Sequence, residues 1–257
     1  MPRKLGPDRI QHVRAAPETT MLVKFYNIIE FKVDRYIMEK IIESIGNWPF
    51  VDRLKPVLEG FSLRKELTAS GSQYNIFSYC NNNHRSFLAQ YDNDTKEFLP
   101  RIKVGLTQYC DVNYFAGDLP DFERLLAERM GHTLRVLGQF DVNELSSILR
   151  ENNIVHWDFI AKLPARLAGF ELYISPAAPV KIINGSYIII DYSNFATNSS
   201  LLIYYNVFRD DYFGELRVKG LPQMTMLFDS KTLSELQEKL ELNLKPVLQS
   251  IALPQDN

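Results

Sequence analysis

The sequence lacks every short motif that would announce a chemistry. It holds no glycine-rich phosphate loop, no Gly-x-Ser-x-Gly elbow, no His-Glu-x-x-His and no Cys-x-x-Cys, so the local signatures of nucleotide, acyl-transfer, zinc-protease and thiol-redox enzymes are missing. Sites assembled from distant residues leave no such trace and stay open. Long apolar runs are missing too: no stretch reaches the roughly 18 residues of a membrane-spanning helix, and the first 20 residues lack the apolar segment of a signal peptide. A cytoplasmic location without membrane association is therefore expected. Excess charge of one sign is absent, with 29 basic against 31 acidic residues, and the concentrated positive field that binds nucleic acid or anionic lipid is not expected. Cysteine is scarce. Cys80 and Cys110 have Ser193 and Thr225 at the corresponding places of the second half, which argues against a disulfide framework.

What the chain does have is a second half that echoes the first. Trp48, Phe50, Leu54, Leu58, Gly60, Phe61 and Leu63 recur as Trp157, Phe159, Leu163, Leu167, Gly169, Phe170 and Leu172, all at an offset of 109. Tyr74, Ile76, Tyr79 and Asn81 then meet Tyr187, Ile189, Tyr192 and Asn194, and Gly105, Leu106 and Gln108 meet Gly220, Leu221 and Gln223. The order never breaks, and the offset drifts only as small loop insertions would make it. With 257 residues, 46% of them hydrophobic, there is material for a sizeable core. The expected organisation is a flexible tail over residues 1–20, a first repeat over 21–138 and a second over 139–257.

The fold class expected is α+β: an internally duplicated unit, each copy helices packed on a curved antiparallel β-meander with a C-terminal helix. Met21 to Phe31 reads as a strand, and Asp34 caps a helix whose Ile37, Ile41 and Ile45 recur every four residues up to Gly46. Leu134 to Phe140, Asp141, and then Leu145, Ile148 and Leu149 suggest the same order in the second copy. A short helix follows in each, with Gly60 and Gly169 read as its C′ residues. Alternating segments come next, including Tyr74–Tyr79, Ser86–Tyr91 and Arg101–Phe115, matched by Tyr187–Tyr192 after an Asn184-Gly185 turn, Ser200–Asn206 and Glu215–Phe228. Asp118 with Asp121, and Thr232 with Glu235, have capping-box spacing ahead of two apolar stripes: Leu119, Phe122, Leu126, Met130 and Leu233, Leu236, Leu240, Leu244.

Three groupings could carry function. Cys80, His84 and Cys110, with Asp111 or His132 as a further ligand, have the donor types of a zinc site or a Cys–His pair, but small buried cysteines in a sheet are the more ordinary reading. No metal and no cofactor is expected. Tyr204, Tyr205, Arg209 and Tyr212 combine rigid amphipathic rings with a multidentate donor, the composition of binding hot spots, and are the expected binding residues, with Tyr205 and Arg209 on one exposed patch. The bland alternative puts the two tyrosines on opposite faces, one packed and one exposed. Asp191 stands where the first half has Ser78, inside an otherwise apolar strand, and needs a partner if buried; Glu215 and Arg217 are at hand to form an ion pair.

The function that fits these features is a non-enzymatic protein-binding module, of adaptor, chaperone or immunity type, presenting a sheet or the groove between two lobes to another protein. The alternative is a small-molecule-binding protein or enzyme with a pocket between the repeats. Nucleic-acid binding would require Arg53, Lys55, Lys162 and Arg166 to form one basic stripe.

Overall fold

The computed structural model describes residue 36 and residues 38–183 and 185–252. The tail expected at residues 1–20, the strand expected at 21–31, Asp34, Ile37, Asn184 and the residues beyond 252 lie outside the described residues. Among the described residues, those up to Trp48 and those from Pro49 onward belong to two compact units. In the first, helix α1 covers residues 38–46, and backbone bonds from Asn47 to Glu43 and from Trp48 to Ile45 close it.

The second unit mixes helix and strand and holds two antiparallel sheets. After the short helix α2 (Phe50–Arg53), the first sheet runs in chain order through β1 (Val57–Leu58), β2 (Phe61–Ser70), β3 (Gln73–Cys80), β4 (Arg85–Asp92), β5 (Glu97–Val104) and β6 (Thr107–Cys110). Helix α3 (Leu119–Gly138) follows, then the short α4 (Ser147–Glu151) and two 3-10 turns, Ile154–His156 and Asp158–Lys162, with Trp157 between them and Phe159 in the second. The second sheet contains β7 (Arg166–Leu167), β8 (Phe170–Ile174), β9 (Val180–Lys181), β10 (Ser186–Asn194), β11 (Ser199–Asn206), β12 (Asp211–Val218) and β13 (Leu221–Ser230), and α5 (Leu233–Ala252) completes the fold. Both β8 and β9 pair with β10, along different stretches of it, and β13 is an edge strand.

The two long helices start where the side chains say they should. Asp118 accepts from the Asp121 amide at 2.9 Å and Thr232 Oγ1 accepts from the Glu235 amide at 3.2 Å. Glu235 returns a bond to the Lys231 amide rather than to its capping partner. Phe122 on α3 stacks on Phe98 of β5 at 5.6 Å. Leu236, Leu240, Leu244, Leu248 and Ile251 of α5 share a core with Trp157, Phe159, Leu201 and Ile203.

Four local expectations are corrected. Leu134 to Phe140 is not a strand: α3 continues to Gly138 because Leu134 and Leu137 extend the stripe of Leu126 and Met130, and all four are buried. Asp141 caps only a 3-10 turn, and the following short helix is capped by Ser146. Gly60 and Gly169 do not end helices. Each is the second residue of a two-residue hairpin, Glu59-Gly60 and Ala168-Gly169, in which both φ angles are positive, the geometry of a type I′ turn. Gly105 and Gly220 are likewise not equivalent within their hairpins. Gly105 comes first in the loop between Val104 and Thr107, whereas Gly220 comes second, after Lys219, between Val218 and Leu221.

Candidate functional site

The tyrosine segment is mostly interior. Tyr204, Tyr205 and Tyr212 are buried, and Arg209 is exposed, so Tyr205 and Arg209 do not share an exposed patch. The reason is that both faces of β11 are covered, so the alternation of Tyr204 and Tyr205 puts one ring into each of two buried layers. The Tyr205 hydroxyl donates to Asp210 at 2.7 Å and accepts from Asn152 at 2.6 Å, while burial first and the Asp210 carboxylate second push its pKa up. Arg209 pairs with Asp211 at 3.1 Å and lies over the Phe213 ring at 4.7 Å. The most exposed ring of the segment is Phe208, 81% accessible.

Cys80, His84 and Cys110 are not drawn into a donor cluster. Among the described residues no three His, Cys, Asp or Glu side chains are placed to hold a metal ion. His84, at positive φ, stacks at 3.8 Å on Phe195 in the turn between β10 and β11, and burial raises the Cys110 thiol pKa, which leaves a poor nucleophile. Of the four basic residues that could have formed a stripe, Arg53 meets Glu123 at 2.7 Å and Lys162 meets Glu241 at 3.8 Å. No helix among the described residues is long and apolar enough to cross a membrane.

Asp191 is fully buried where the first sheet meets the second. Its Oδ1 accepts from Ser193 at 2.6 Å, and its Oδ2 has no protein partner among the described residues. Arg217 does not close on it: the guanidinium holds Glu215 at 3.1 Å and the backbone carbonyl of Leu106 in the β5–β6 hairpin. That hairpin lies on Asp191. A Cβ added to Gly105 would come within 3.2 Å of Oδ2 and 2.8 Å of the Tyr173 ring. Desolvation raises the Asp191 pKa to about 7, opposed by Ser193 and Arg217. Nearby, Arg85 donates to the Tyr173 hydroxyl at 3.3 Å and to the Leu137 carbonyl near the end of α3, a favourable place for a cation on a helix. The ion pair expected for Asp191 is therefore not formed: Glu215 and Arg217 pair with each other, and Asp191 has Ser193 as its bonded partner.

An open cleft lies elsewhere on this junction. It has a volume of about 430 Å³, between the last turns of α3 and residues 180–183. Ile102, Val136, Leu137, Val180, Ile182 and Ile183 supply its apolar walls, with Cys110, His132 and Lys181 as polar lining. A smaller neighbouring cleft of about 240 Å³ shares His132, Val136, Val180 and Lys181 and reaches Arg85. The far end is set by Gly185, against which the Phe208 ring packs so closely that a Cβ would sit 2.6 Å away. The tip of the tyrosine segment therefore borders the cleft, joined also by the bond from the Val207 amide to the Gly185 carbonyl. Sequence reasoning missed this cleft because its walls come from segments far apart in the chain. The available signal was Ile182-Ile183 ahead of a glycine, an apolar pair in a turn. No protein-family model, no curated protein and no solved structure matches this chain.

Proposed function

We propose that the protein is a non-enzymatic protein-binding module, of adaptor, chaperone or immunity type, that takes an extended segment of its partner into the cleft between α3 and residues 180–183. The observation that carries this reading is the cleft itself, apolar along its walls and flanked by exposed Val112, Ile183 and Phe208. Contiguous exposed apolar surface of this kind is where soluble proteins take partners. Its edge favours a strand-like guest. The Ile182 amide bonds to Ser186 and Val180 aligns with Ile188, so Lys181, between them, alternates to the other sense and directs its backbone N–H and C=O away from β10. A guest strand could take up those groups while its alternate side chains enter the apolar walls. Of the predicted binding residues, Arg209 belongs to this reading with Phe208 at the cleft's end, and Tyr204, Tyr205 and Tyr212 support the hairpin from inside.

We also propose that the two sheets are copies of one unit, each a meander followed by a 20-residue helix. The support is positional: β4, β5 and α3 begin 114 residues before β11, β12 and α5. The cleft then lies between a helix of the first copy and an edge of the second. A pocket of this size also falls in the range of small-molecule sites, roughly 300–1,000 Å³, which sustains the second reading of a small-molecule-binding protein or enzyme.

Selection from a random peptide display library tests the first reading against wild type, a cleft-filling Val136→Trp variant and Phe208→Ala/Arg209→Ala. Enrichment of peptides with alternating apolar residues by wild type, lost in Val136→Trp and weakened in the double variant, is the expected result. Absence of enrichment, or equal enrichment by the filled cleft, overturns it; a small molecule carried by the purified protein in native mass spectrometry and displaced by Val136→Trp supports the second reading.

A further inference from the structure

We propose that Asp191 is a proton-controlled latch, which when protonated lets the Gly105–Leu106 hairpin of the first sheet close on the second and when ionised loosens that contact. The geometry leaves little alternative for relief. A carboxylate needs donors on both oxygens or a facing cation, and here one oxygen has Ser193 and the other has no protein partner. The groups that face it are accounted for. On its own strand is Ser193; on β8 are Glu171 and Tyr173; on β11 is Tyr204; on β12 are Glu215 and Arg217; and over it lie Gly105 and Leu106. The nearby cation, Arg217, spends its two terminal nitrogens on Glu215 and a carbonyl, leaves its buried Nε unpartnered and donates nothing to Asp191, while Glu171 adds a like charge. Neutral Asp191 has no such conflict, since a protonated carboxyl carries no charge and is far cheaper to leave buried with one oxygen unpartnered than an ionised one.

Water can reach an ionised Asp191 most cheaply by lifting the hairpin. Strand β6 behind it is a four-residue edge strand, Thr107–Cys110, held on one side by β5, and short edge elements open at low cost. Asp191 itself sits mid-strand in β10 between two partners and cannot swing out. The pKa near 7 agrees with this arrangement and sets its range. The sign follows from linkage: closure of the hairpin takes up a proton, so the closed form is favoured at low pH. It weakens as pH rises toward 7 and then levels off.

Hydrogen exchange resolved by peptide, corrected for the intrinsic pH dependence of exchange and run from about pH 5 to about pH 9, tests the latch. Protection of residues 103–108 should fall by up to about tenfold per pH unit until about pH 7 and stay flat above it, while protection of α5 barely changes. Asp191→Asn should abolish the slope. Ser193→Ala, which removes the donor that favours the ionised form, should move the plateau to higher pH and serves if the first variant does not fold. Equal protection of 103–108 at all pH values, or the same slope in Asp191→Asn, overturns the proposal.

Discussion

Replacing Asp191 by asparagine should stabilise the protein, and by an amount that depends on pH. The side chain keeps its shape, and its carbonyl oxygen still accepts from Ser193, now 2.6 Å away in the wild type. What it loses is the need to bury a charge. Moving the carboxyl pKa from 3.8 to about 7 costs about 4 kcal/mol at alkaline pH, at about 1.4 kcal/mol per unit. Against this stands an amide N–H₂ that inherits the unpartnered position, at about 1–3 kcal/mol, so the net gain at pH 8 is about 1–3 kcal/mol. The cleaner quantity is the difference between two pH values. Between pH 5 and pH 8 the wild type loses about 3 kcal/mol that the variant keeps, because two units of that interval lie below the folded pKa. Denaturant unfolding of both proteins at the two pH values measures it, and other titrating groups cancel in the comparison. A variant less stable than wild type at both pH values, by the same amount at each, refutes the claim that a charge is being forced into this junction.

Gly105→Ala should destabilise by about 2–4 kcal/mol, combining a left-handed backbone with a clash against Tyr173. Gly71, with a similar φ of +63 against +61 and nothing within 4 Å of a Cβ, provides the control: its alanine variant should cost only about 1–2 kcal/mol in the same urea titration. Equal losses at the two glycines would mean that Tyr173 yields freely. Tyr205→Phe removes the hydroxyl between Asp210 and Asn152 and should cost about 1–2 kcal/mol while leaving selected peptides bound with unchanged affinity; a binding defect at full stability would put that hydroxyl in the recognition surface.

Much of the fold was legible because local chemistry and burial agree there. Asp118 and Thr232 start their helices as their side chains require, and Tyr74–Tyr79, Ser86–Tyr91, Tyr187–Tyr192 and Ser200–Asn206 became strands, whereas Arg101–Phe115 and Glu215–Phe228 each turn back at a two-residue hairpin. Errors arose where one local requirement has two structural solutions. A positive φ at Gly60 and Gly169 suits a helix C-terminus and a type I′ hairpin equally, and only pairing of Leu58 with Phe61 and of Leu167 with Phe170 decides between them. Leu134 and Leu137 looked extended in a short window, yet they continue a stripe that began at Phe122. The tyrosines failed for another reason. Alternation fixes which side chains share a face, but whether a face is covered depends on elements elsewhere, and in β11 both are. The cleft was hidden for the same cause.

The outer strand β13 has a consequence for solubility. Residues 221–228 carry no charge, and Met224 and Met226 project into solvent, a combination that invites another chain to add on as a neighbouring strand. Pro222 stands against it. The two-residue hairpin makes Val218 and Leu221 a hydrogen-bonded pair, so the next pair, Arg217 with Pro222, turns its backbone groups outward, and there the ring supplies no N–H. The register shift between Tyr212 and Gly214 breaks the ladder again toward the other end. An invading strand thus meets a missing donor at one end and a bulge at the other, and the apolar side chains between them stay available for reversible contacts without seeding an endless ladder.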